Sequence, residues 1–244
     1  MMPPRRPLGL LVLLLLVPVV PCKAQSEAAQ NPHDEASRYP RMAPLAQYLI
    51  PDRATEIALA RSAAPASIAD HAEVLVLGAR GYEVAAHGTN GFVCMVDRAW
   101  TSDTDDPDYM NPAVREPTCF NAAAARTILP RVYRKTRLAL EGVSKAQMID
   151  SVRIAYAKGE LPSPARGAMS YMMSKQTYFG PYYGKGGPHL MFYFPRTDSL
   201  LWGAGLPDSP VIVHQDSPSP VTTFVIPLAR WADGTPLEPK RATK

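Results

Sequence analysis

The sequence predicts an α+β domain: a mostly antiparallel sheet, made of an N-terminal β-meander and a set of C-terminal strands, with two or three helices packed on one face. Three observations carry that prediction. Strand-like runs gather in two places, residues 73–98 and 189–228. Helical periodicity fills the stretch between them. Strands and helices do not alternate one for one, as a βαβ winding requires.

Taken in chain order, residues 1–24 read as a secretory signal. Arg5 and Arg6 precede an apolar run at 10–20, and Cys22 and Ala24 stand as small residues at −3 and −1 of a cleavage after Ala24. The run falls short of the roughly 20 apolar residues that cross a bilayer. The expected destination is the periplasm or the exterior, with no transmembrane span in the mature chain. Two alternatives are a retained N-terminal membrane anchor and an acylated Cys22, the latter a poor fit because Pro21 directly precedes it. Residues 25–44 are polar and aperiodic and read as a flexible linker. Residues 45–234 read as a single α+β domain and 235–244 as a disordered tail.

Removing the leader takes Arg5, Arg6 and Lys23 and no acid, so Lys+Arg falls from 26 to 23 against 22 Asp+Glu, and the net charge from +4 to +1. No dense Lys/Arg block with interleaved aromatics occurs, which argues against a nucleic-acid partner. Cleavage also leaves two cysteines, Cys94 and Cys119, and an even count outside the cytosol reads first as a disulfide. Such a staple is worth roughly 3–4 kcal/mol by loop entropy.

Residues 52–64 fit a short helix with Asp52 as cap and Pro65 as stop. Runs at 73–77, 82–87 and 92–98, joined by Gly-containing loops, carry a meander signature. In that meander His87 lies opposite Phe92, and Cys94 shares a face with His87. Residues 101–118 read as a loop inside the disulfide ring. A helix then begins at Cys119, capped by Thr118 or Asn121, and Pro130 kinks or divides it. Ser144 and Gln147 form a capping box for the next helix, which sets Met148, Val152, Ala155 and Tyr156 on one face and ends at Gly159. "GAMSYMMSK" alternates weakly. Residues 189–194, 210–215 and 222–228 are strong strand candidates.

Five constellations could carry chemistry. Cys94 with His87 could be a nucleophile and base, but no Cys-protease signature accompanies them and Cys119 is the simpler partner. Asp103, Asp105, Asp106 and Asp108 suggest calcium, yet position six of an EF-hand counted from Asp103 is Asp108 and position twelve is Val114. His189, His214 and Asp216 could form a hydrolytic metal site if their strands pair; no H-E-x-x-H or C-x-x-C supports it. Serine-hydrolase and nucleotide-binding patterns are missing, and no cofactor is expected. The fifth feature is the most informative. Nine of the chain's twenty aromatics fall within residues 171–202. "YFGPYYGKGGPH" is too rich in Gly and Pro for a helix or a long strand, so its tyrosines sit on a loop. There they either cover an open sheet face or present a flat apolar surface with polar tips to a small molecule, glycan or peptide. The candidate binding residues are Tyr178, Tyr182, Tyr183, His189, Tyr193 and Trp202, with His189 and Tyr193 turned away from the Leu190/Phe192/Phe194 face. The reading is an exported, disulfide-stapled binding domain; the alternative is an exported metal-dependent hydrolase using His189, His214 and Asp216.

Overall fold

The computed structural model describes Tyr39, residues 41–215 and residues 219–238. The segment read as a signal peptide, most of residues 25–44, Asp216 and residues 239–244 lie outside these residues. Eight strands form one sheet: β1 (Glu73–Gly78), β2 (Gly81–Ala86), β3 (Val93–Asp97), β4 (Glu116–Phe120), β5 (Met169–Met172), β6 (His189–Pro195), β7 (Ile212–His214) and β8 (Val221–Pro227), in the order β2-β1-β3-β4-β5-β6-β8-β7. Among the described residues every strand pairing is antiparallel except β1 with β3. The α+β class is therefore what the structure shows.

The first hairpin forms as predicted, with Val74 to Gly78 paired to Ala86 to Gly81. The second does not. After β2 the chain crosses the start of β1 and enters on its far side, so Val74 stands beside Cys94 in a parallel pair. The amide of Thr89 donates to the His71 carbonyl at 2.8 Å, and that of Glu73 to the Phe92 carbonyl at 2.9 Å. Gly88 makes the crossing possible: a Cβ there would lie 2.1 Å from the Glu73 nitrogen. A Gly-containing loop thus serves a crossing where the local pattern predicts a turn.

Residues 116–120 are also reassigned. The sequence reading ends a loop at Thr118 and starts a helix at Cys119, whereas the structure pairs these residues with β3 as β4. Pro117 hides the strand. It is tolerated because β5 pairs only with Cys119 and Phe120, leaving the proline nitrogen outside that ladder.

Five α-helices lie among the described residues: α1 (Arg53–Arg61), α2 (Ala66–Ala69), α3 (Ala122–Thr127), α4 (Leu129–Leu140) and α5 (Lys145–Ala157). Asp52 caps α1 through the amides of Ala54 and Thr55, and Asn121 caps α3 through that of Ala124. Pro130 sits in the first turn of α4, where its missing N–H costs nothing, and the chain divides at Ile128 just before it. Both bonds of the Ser144/Gln147 capping box are present on α5. The helices divide between the sheet's faces rather than gathering on one. The alanines of α1 and the α2 region pack on Val74, Cys94, Val96 and Cys119. On the opposite face α3 and α4 pack on Leu75, Met95 and Phe120, and α5 adds Met148 to a third cluster around Tyr48, Trp100 and Tyr109. Tyr39, Met42 and Ala43 also pack against that third cluster.

A buried ion pair ties α1 to the sheet. Arg98 Nη2 meets Glu56 Oε1 at 2.8 Å with both side chains out of solvent. The same Glu56 oxygen accepts the Leu77 amide at 3.1 Å, and Arg98 Nε donates to the Tyr48 carbonyl.

Candidate functional site

Cys94 and Cys119 face each other in the β3–β4 register and are joined as a disulfide, fully buried beneath α1. His87 is nowhere near them in role: it lies past the end of β2, its side chain 91 % exposed and 4.0 Å from the Glu73 carboxylate. The parallel entry of β3 removes the pairing that would have set the two on one face. Neither Cys94 nor Cys119 keeps a thiol for the nucleophile reading.

The tyrosine loop and the aspartate loop are built against each other. Tyr178 and Arg115 exchange backbone hydrogen bonds at 2.8 and 2.9 Å. The Tyr182 amide donates to Asp108 Oδ2 at 3.0 Å. Gly180, at φ +104°, approaches the same carboxylate so closely that a Cβ would lie 2.3 Å from Oδ2. Inside the loop the Gly184 amide donates to the Gly180 carbonyl, and Gly186 lies under the Phe179 ring. Asp108 also accepts from Asn111, and Asp106 accepts the Asp108 amide at 2.7 Å, so these carboxylates act as turn-formers.

The backbone is tied down while the tips stay outside. The Tyr182 and Tyr183 rings meet edge to face, centroids 4.8 Å apart, and are 42 % and 48 % exposed. Burial first, and then the carboxylates of Asp106, Asp105 and Asp103 with the neighbouring Tyr182 ring, push the Tyr183 hydroxyl up to about 12. The pair therefore stands in a negative field.

The two strand histidines share a sheet face but not a site. His189 lies opposite Pro227 and His214 opposite Thr223, so they flank β8 four residues apart along it. His189 is buried with Nδ1 at 2.8 Å from the Gly187 carbonyl oxygen, and burial lowers its pKa. His214 Nδ1 lies 3.4 Å from Asp103 Oδ2, and that bond raises its pKa. Burial works to raise Asp103, but the His214 bond together with the charges of His214, Lys135 and Arg131 holds the carboxyl below its ordinary value. Among the described residues no three His, Cys, Asp or Glu side chains are placed to hold a metal ion.

The remaining candidates separate. Tyr193 is buried in the core beside Phe120, its hydroxyl 2.8 Å from Ser170 Oγ. Trp202 belongs to the opposite face, stacked on Phe224 at 4.6 Å and against Phe194 at 4.8 Å.

One group escaped the sequence reading. Asp97 and Glu116 are direct partners across β3 and β4. Burial pushes Asp97 up to about 6 and Glu116 up to about 8, with each neighbouring carboxylate raising Glu116 further. Asp97 Oδ1 is buried without a hydrogen-bond partner among the described residues. Lys135 of α4 closes the same corner, donating to the carbonyls of Thr101 and Ser102. Glu116 lies 22 residues from Cys94 and 19 from Asp97 in a loop-like context, so only the β4 assignment could have revealed the pair.

Among the described residues no helix is long and apolar enough to cross a membrane. No family model matches this chain, and neither a curated protein nor a solved structure matches it.

Proposed function

We propose that the chain is an exported, disulfide-stapled binding domain without catalysis of its own, and that its ligand docks on the Tyr182/Tyr183 pair beside the aspartates of residues 103–106. The carrying observation is that a loop pinned by its backbone to the aspartate loop leaves both tyrosine rings in solvent. A loop that served only as a cover would turn those rings inward. Exposed aromatic faces in a negative field favour a cationic group, a quaternary ammonium or the guanidinium of a basic peptide, through cation–π attraction worth about 0.5–2 kcal/mol. The fixed loop backbone keeps the ordering cost of binding low. Export rests on the leader and on a buried disulfide, which persists in oxidising compartments.

Calorimetric titration with tetramethylammonium, an arginine-containing peptide, a neutral glycan and an aromatic acid tests this reading. The cations should bind best at this site, and the Tyr182→Ala/Tyr183→Ala double variant should weaken them by roughly 2–30-fold. Equal binding by the double variant would reduce the loop to a cover.

A second reading, acid–base hydrolysis, is favoured by one separate observation: two carboxyls paired in register and driven up by burial. It replaces the metal-dependent version, because His189 and His214 are committed to separate partners. A hydrolase panel run from pH 5 to 8 on wild type and Glu116→Gln tests it; activity unchanged in the variant, or none in either, sinks it.

A further inference from the structure

A groove of about 510 Å³ lies where three segments meet: the end of α1 with α2, residues 173–176 after β5, and residues 231–233 after β8. It shares no residue with the tyrosine loop. Its walls are stitched together by backbone bonds, Met173 amide to Ala63 carbonyl at 2.9 Å and Ala232 amide to Met173 carbonyl at 3.0 Å. Ser62 and Ser174 are locked to each other at 2.7 Å. The groove is therefore part of the folded frame.

Its chemistry is uneven. Trp231, Met173 and the alanines 64, 66 and 69 make one part of the lining apolar. Lys175 and Asp233 neutralise each other at 2.6 Å, and Asp233 also accepts the amide and hydroxyl of Thr235. Asp70 contributes a further carboxylate. Arg61 is different: its Nε is buried with no hydrogen-bond partner among the described residues. That nitrogen is closed to solvent, so an anion in the groove would meet Arg61 through the terminal nitrogens of the guanidinium and balance its charge there.

We infer that this groove binds a small monocarboxylate with an aromatic or aliphatic body, its carboxylate held by Arg61 and its body against Trp231 and the alanine wall. The guanidinium fork matches a carboxylate in geometry. The lining's two cations and two carboxylates cancel, so only the Arg61 fork itself favours an anion and a multiply charged phosphate is held poorly.

Phenylacetate is the probe, with inorganic phosphate and phenethylamine as controls, read by calorimetry and by tryptophan emission. Phenylacetate should bind and the controls should not. Arg61→Gln should weaken it at least roughly tenfold, and Arg61→Lys most of the way to that value, because the charge remains and the planar fork is lost. Trp231→Phe should abolish the emission change while Trp202→Phe keeps it. Circular dichroism and Tm of each variant check that it folds. Failure of phenylacetate to bind, equal binding by Arg61→Gln, or phosphate binding as tightly overturns the inference. Tyr182→Ala/Tyr183→Ala should leave phenylacetate binding unchanged, so this result and the fate of the tyrosine site are read independently.

Discussion

A single missing carbon decides where β3 goes. Gly88 passes the start of β1 with no room for a Cβ against the backbone of Ala72 and Glu73. Gly88→Ala should therefore force the crossing apart and cost about 1–3 kcal/mol, the range of overpacked sites; urea unfolding measures it, and a variant as stable as wild type would refute the crossing. Glu116 offers a second residue-scale test. Its folded pKa of about 8 stands above the ordinary 4.5, and Asp97 likewise rises from 3.8 to about 6. The native state then holds protons that the unfolded chain has already released. By linkage, the stability this contributes is present below pH 4 and lost as pH rises towards 8, levelling above. Glu116→Gln, which mimics the protonated form, should match wild type near pH 4 and exceed it at pH 9. The expected gain is at least about 1 kcal/mol, or roughly 2–4 °C in Tm for a chain of this size. Thermal melts at the two pH values decide the matter; a variant less stable at pH 9 would show the carboxylate to be held charged.

At the scale of elements, α1 is fastened by two different means. Its alanine face lies on the disulfide and on Val74 and Val96, while Glu56 reaches in to Arg98 and to the Leu77 amide. Removing one partner of such a pair strands a buried charge. Glu56→Ala should cost about 3–5 kcal/mol, and hydrogen exchange should show the loss concentrated in α1 and β1. A loss below about 1 kcal/mol would mean that Arg98 finds water or another acceptor. The capping signals of α1, α3 and α5 were readable from sequence because they are local: Asp52, Asn121 and the Ser144/Gln147 box each bond within three residues. The pairing of β3 was not, because it depends on which side of β1 the chain passes. The strands did carry a hint. β1 and β3 are buried at nearly every position, a continuous apolar run instead of an alternating one, which is the mark of strands covered on both faces. That pattern, more than the meander spacing, foretells helices on two sides.

Across the whole molecule the disulfide joins neighbouring central strands and closes a ring over a sequence separation of 25. The Cys94→Ala/Cys119→Ala variant should lose roughly 3–4 kcal/mol of stability. Thiol counting on denatured protein from its host should find none free, and two free thiols would remove the staple. The ring holds the aspartates of 103–108 as well as Asp97's partner Glu116, so the staple also braces the loop against which the tyrosines are set. The candidate site was legible in part. The tyrosine loop stood out by composition, and its neighbour, the aspartate loop, stood out separately. That the two are one surface is written in bonds between residues some seventy positions apart, Tyr182 to Asp108 among them. Trp202, grouped with those tyrosines by sequence proximity, turned out to lie on the opposite sheet face.

The order of the chain alone determined the class, the helix caps, most strand positions and the pairing of two cysteines, because each follows from period, local hydrogen bonding or simple counting. Tertiary structure decided the parallel entry of β3, the strand hidden by Pro117, the elevated acid pair and the groove at Arg61. Each of these comes from groups distant in sequence brought together by packing, where desolvation and steric fit act only once the neighbours are in place.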